Sequence, residues 1–141
     1  MGSVVSFAPV NIERMLSAAR VQAEADGAVI CIAIVDQAGS LAGFLRMTGA
    51  YFISTDLAMD KAWTAAGMRM STAQLGAVLA SEPDAVRHGL LRRPRLTEVP
   101  GGVAIMVDGL VHGAVGVSGG TAEQDVRAAT VAMDYYLEGL S

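Results

Sequence analysis

The stretch HGAVGVSGGTAEQD, from His112 to Asp125, places Gly113, Gly116, Gly119 and Gly120 within eight residues and then turns acidic. Glycine strips side chains from a corner and lets a ligand approach the backbone. A helix starting at Thr121 would leave its first N–H groups without intrahelical partners. Its dipole would add partial positive charge there. Gly116, Ser118, Gly119, Gly120 and Thr121 are therefore candidate contacts for a carboxylate or another small anion. Glu123 and Asp125 fall in the same first turn and oppose an anion at short range. They are also candidate catalytic groups, able to move a proton or position water. The alternative is a tight strand-to-helix turn and nothing more.

Two cations stand apart from this corner in the chain. Arg46 precedes MTGAYF, whose glycine suggests another close approach, and Lys61 lies within a helical stretch. If both face residues 118–121 they complete a clamp in which Arg46 grips a carboxylate through paired donors. Lys61 would polarise or protonate a substrate, and a lowered lysine pKa would favour catalysis over simple binding. The plainer alternative pairs Arg46 with Asp56 or Asp60 on the surface.

Other reactive side chains are less suggestive. His112 and His88 have no second histidine, cysteine or carboxylate at ligand spacing, so no metal site is expected. Cys31 is the only cysteine and sits in the apolar run AVICIAIVD, as a buried inert thiol. The scattered methionines suit core filling. No catalytic triad, nucleophile elbow, P-loop or dinucleotide fingerprint occurs.

The elements that must position these groups follow from periodicity. PVNIERMLSAARVQAEADG has helical spacing, with Asn11 as a cap and Gly27 as the end. Ala28–Asp36 and Leu41–Met47 form a hairpin around the turn DQAGS. A helix follows from Ser54 or Thr55 and ends or breaks at Gly67. Another opens at Ser71, with Gln74 completing a capping box. SEPDAVRHGLLRRPRLTEVPGG, with its separated prolines and arginines, is irregular. Asp108-Gly109 turns a second hairpin. The last helix is capped by Thr121 and Gln124, and its buried face runs through Val126, Ala129, Thr130, Met133, Tyr136, Leu137 and Leu140. Hairpins rather than crossovers indicate an α+β domain, an antiparallel sheet flanked by helices.

The length of 141 residues suits a single domain spanning 1–141. Net charge −4 argues against nucleic acid, although Arg87, Arg92, Arg93 and Arg95 cluster in one segment. They form a solvated loop or an anion-attracting rim. No apolar run reaches membrane-spanning length, and MGSVVSFAPVN carries no leader pattern. A cytoplasmic protein without membrane partners is expected. Hydrophobic residues at 52% with charged residues at 17% suggest apolar surface shared between copies, and hence a homo-oligomer.

The segments LRMTGA, STDLAMDKAWTAA and DGLVHGAVGVSGGTAEQD together resemble the GlcG/HbpS family, with similarity running from Ile12 to Tyr135. This is the small haem-binding or haem-degrading-type domain also found at the C-terminus of PduO-type cobalamin adenosyltransferases. The resemblance implies a profilin-like fold with a central antiparallel sheet of about five strands flanked by helices, and homo-oligomers. By matching position it implies pocket residues Arg46, Lys61, Gly116, Ser118, Gly119, Gly120, Glu123 and Asp125. Thr48 stands where relatives often carry Asp, and Ala104 where they often carry Pro. Both lie near the expected pocket.

The leading expectation is a small-molecule-binding domain holding a small carboxylate or planar acid-bearing ligand, at or near a subunit interface, with no cofactor required. The rivals are a cofactor-free hydrolase, deaminase, isomerase or lyase acting on an unsaturated or imine-type acid, and haem binding or sensing.

Overall fold

In the computed structural model, which describes residues 7–140, the chain forms an α+β fold in three layers. Residues 1–6, most of the segment expected to lack a leader, fall outside that range, as does residue 141. The elements are α1 (Pro9–Asp26), β1 (Cys31–Asp36), β2 (Leu41–Arg46), α2 (Ile53–Met68), α3 (Thr72–Ala80), α4 (Asp84–Leu91), β3 (Gly102–Val107), β4 (Leu110–Ser118) and α5 (Ala122–Glu138). The antiparallel sheet has the order β2-β1-β4-β3. It has four strands, where about five were expected. Among the described residues no helix is long and apolar enough to cross a membrane.

Alternation along β1 divides the core. Ile30, Ile32 and Ile34 face α1 and α5, together with Val115 and Val117 of β4. Cys31, Ala33 and Val35 face α2, whose contact surface is Ala58, Ala62, Ala65 and Ala66. Small residues on both sides bring α2 close to the sheet. A Cβ on Gly116 would strike the Ala58 carbonyl, and one on Gly102 would strike that of Lys61.

Several ends differ from expectation. Pro9 takes the first position of α1, so its cap is Ala8 rather than Asn11; proline tolerates that place because its missing N–H has no partner there. Phe52 precedes α2 without a side-chain cap, and Ser54 and Thr55 lie inside the helix. Gly67 is also inside; α2 closes at Arg69, left-handed at φ 57°. The proline-bearing stretch contains α4, which starts directly after Pro83 and buries none of its side chains. The buried face of α5 is Asp125, Ala128, Ala129, Ala132 and Tyr136, while Leu140 is exposed. Alanines let α5 sit close, and this rotates the bulkier stripe partly outward.

Gly27 closes α1 in the left-handed region, and Asp108-Gly109, at φ 51° and 78°, turns the second hairpin. Ser71 accepts the Gln74 N–H, and Thr121 and Gln124 form a reciprocal capping box.

Candidate functional site

Lys61 is carried on α2 to the end of β4, where the helix lies tight against the sheet. Its Nζ donates to the Val117 carbonyl at 2.8 Å and to Asp125 Oδ2 at 3.3 Å. Asp125 sits in the first turn of α5, and its Oδ1 accepts the Gly120 N–H at 2.9 Å. The bare corner is therefore an anion site, and the anion it holds is the chain's own Asp125. Thr121 N–H goes to Gln124 Oε1 at 3.0 Å. The donors expected to meet an outside carboxylate at residues 119–121 turn inward.

Only 1% of Lys61 and 4% of Asp125 is exposed. Burial pushes the Lys61 pKa down, against the pull of Asp125. Burial likewise pushes Asp125 up, against the Lys61 charge and the Gly120 amide bond. A lowered lysine is the sign expected of a working acid or base. Here its cause is enclosure between a carbonyl and a carboxylate, which also bars a substrate.

The remaining candidates separate. Gly116 lies under α2. Gly119, at φ 131°, would drive a Cβ into the Val29 carbonyl, so the corner packs on the approach to β1. Glu123 is exposed and borders a shallow hollow with Pro100, Val126 and Arg127. Cys31 is partner to Ser118 on β4 and to Arg46 on β2. Ser118 and Arg46 thus share one row and one sheet face, two strand spacings apart, or roughly 10 Å. Arg46 is exposed and donates to the Ala50 carbonyl at 3.0 Å. Asp60 pairs instead with Arg95, at 3.6 Å.

That bond places Arg46 beside a second feature. Residues 27–29, 49–51 and 119–121, with Gln124, surround a hollow of about 460 Å³. Gln124 Nε2 ties its wall to the Asp26 carbonyl at 3.1 Å. Tyr51 lines the hollow, and Tyr51, Phe52 and Ile53 are 72%, 88% and 69% exposed. Sequence reasoning missed these side chains. Their signal was three successive bulky apolar residues at the start of a helix that has no polar cap.

The iron- and metal-binding residue types lie elsewhere. His112 is the extra residue where the β3–β4 register shifts, and its Nδ1 is 2.8 Å from Tyr136 Oη. His88 is exposed on α4. Cys31 is buried, its thiol pushed up by burial. Among the described residues no cluster of metal-ligating side chains forms. In the arginine-rich segment, Arg87 pairs with Glu98 at 2.8 Å and Arg95 lies over the Trp63 ring at 4.7 Å.

A family model described as haem degrading protein HbpS-like matches residues 8–134. An uncharacterized 15.0 kDa protein of the dhaT-dhaS intergenic region of Citrobacter freundii is 34% identical, over 89% of this chain and 89% of its own length. The corrinoid adenosyltransferase PduO of Citrobacter freundii is 35% identical over 87% of this chain, which spans only 37% of that protein. A solved structure of a PduOC:heme complex superposes with a TM-score of 0.83 at 29% identity, covering 93% of this chain and 95% of the other.

Proposed function

The chain belongs to the HbpS-like family, and from that premise we propose that it is a small-molecule-binding domain for a planar, acid-bearing ligand. The hollow at residues 27–29, 49–51 and 119–121 is its seat. The observation that carries this reading is the meeting of three chain corners beside exposed aromatic residues and an exposed arginine. Tyr51 and Phe52 offer ring faces, and Arg46 offers a guanidinium to a carboxylate. Lys61 and Asp125 hold the corner from behind, and Ser118 and Thr121 set its entry and exit.

Haem is the group the family suggests, and a PduOC protein has been solved in complex with it. The side chains around the hollow fit the organic part of such a molecule, a flat apolar ring with carboxylates. They do not fit its iron. Neither an imidazole, a thiolate nor a thioether lines the hollow.

Titration with iron-free protoporphyrin IX, followed by its fluorescence, tests the reading. Arg46→Ala should weaken binding about tenfold or more, since a hydrogen bond to a charged group contributes about 1.5–3 kcal/mol, and Tyr51→Ala by about two- to tenfold, since an aromatic ring contact contributes about 0.5–1.5 kcal/mol. Unchanged affinity in both variants would remove the ligand from this hollow.

A further inference from the structure

We infer that this chain recognises its planar acid by ring face and carboxylate alone, so that a metal-free tetrapyrrole binds as well as haem does. The inference rests on the seat proposed above and adds the class of ligand it accepts. It follows from where the chain has put its iron-binding side chains.

Two histidines exist in the whole sequence. One nitrogen of His112 is engaged with Tyr136 Oη at 2.8 Å, and the two rings meet edge to face at 5.8 Å. That pair joins β4 to α5 at the far end of β4 from the Gly119 corner. His88 is held out on α4, between the sheet's α2 side and solvent, beyond α3. The single thiol, Cys31, is fully buried between sheet and α2, 3.9 Å from Thr55 Oγ1. Met47, the methionine beside Arg46, uses its sulfur to accept the Ile30 N–H at 3.4 Å. Each soft or imidazole donor near the corner thus has a structural partner or no path to the hollow. What the hollow presents is a phenol ring and bare glycine backbone; the Arg46 guanidinium reaches it through the carbonyl of Ala50, one of its lining residues, from a neighbouring hollow that Arg46 lines with Arg20 and Glu24. Those groups contact the rim and faces of a macrocycle and are indifferent to the atom at its centre.

The experiment compares haemin with iron-free protoporphyrin IX on the full chain by equilibrium titration, for wild type, His88→Ala and His112→Ala. His112→Gln, which keeps a polar partner for Tyr136, is carried alongside in case the alanine variant unfolds. The expected result is dissociation constants for the two probes within tenfold of one another, unchanged within tenfold by the histidine variants. Haemin binding more than tenfold tighter than protoporphyrin, or a histidine variant that loses haemin alone, would overturn the inference while leaving the seat intact. Binding of neither probe would overturn the seat itself, and the inference with it.

Discussion

The Lys61–Asp125 pair carries much of the local order on few atoms. The lysine joins α2 to the Val117 carbonyl of β4 and to Asp125, and the aspartate joins α5 to the Gly120 amide. Breaking a buried pair by removing one member leaves an uncompensated charge, at a cost of about 3–5 kcal/mol. Lys61→Met should show that loss at pH 7, with a pH dependence of known sign. Burial already raises Asp125, and the lysine is what pulls it down. Without Lys61 the carboxyl rises further. A carboxyl raised on folding contributes stability below its unfolded pKa of about 3.9 and loses it as pH climbs toward the folded value. The deficit of Lys61→Met relative to wild type should therefore be smaller at pH 4 than at pH 7 in urea unfolding. Equal deficits at the two pH values would show that Asp125 is not held up by burial. The residues nominated for chemistry could be picked out by type, the glycines at a helix start and an arginine and a lysine far from it in the chain. Their partners could not be. That Asp125 itself fills the amide corner depends on the φ of Gly119 and on the depth of α2, which no local pattern encodes.

At the scale of elements, closeness between α2 and the sheet is set by glycine and alanine rather than by large apolar groups. Gly116→Val would force side-chain atoms into the Ala58 carbonyl and the Ala62 backbone. Overpacking of this kind costs about 1–3 kcal/mol, and here it displaces the helix that delivers Lys61. The variant should unfold at lower urea concentration and lose protoporphyrin affinity together. Full stability would mean that α2 can slide. The cap of α5 gives a smaller, separate test: Thr121→Ala should cost about 1 kcal/mol with ligand affinity changed less than that of Arg46→Ala. A stability loss of under a few tenths would show that Gln124 caps alone. Hairpins and caps were readable because turn chemistry is local, as at Asp108-Gly109 and in the Thr121–Gln124 box. The α4 helix was hidden because the separated prolines Pro94 and Pro100 argued against one long element, although both lie beyond its end at Leu91. The buried face of α5 was read too bulky for the same reason that α2 packs closely: alanine, the smallest apolar side chain, does the contacting.

At the scale of the molecule, charge and apolar surface are unevenly spread. Five of the ten basic residues, Arg69, Arg87, Arg92, Arg93 and Arg95, lie between positions 69 and 95 around α3 and α4, while α1 and α5 carry Glu13, Glu24, Asp26, Glu123, Asp134 and Glu138. The exposed run Tyr51, Phe52 and Ile53 lies at the start of α2, beside the hollow that the end of α1 and the start of α5 also line. Apolar side chains this open and adjacent cost solubility unless something covers them. On the reading proposed above, a flat ligand seated at Tyr51 would cover part of the run, and the homo-oligomer expected from composition would cover the rest with a second copy of the chain. Replacing Phe52 with Asp should then lower the mass found by sedimentation velocity at tens of micromolar and weaken protoporphyrin binding in the same variant, while the thermal midpoint of the isolated subunit stays close to wild type, because Phe52 is 88% exposed and touches little of the core. Saturating ligand adds a coupled readout. At a hundred times its dissociation constant it stabilises the folded state by about 2.7 kcal/mol, or roughly 5–10 °C for a chain of this size. That shift should survive in Phe52→Asp once ligand is raised to compensate for its weaker binding. If Phe52→Asp keeps wild-type mass and wild-type affinity, neither a partner copy nor the ligand rests on this run, and the seat of the ligand must be moved away from the start of α2.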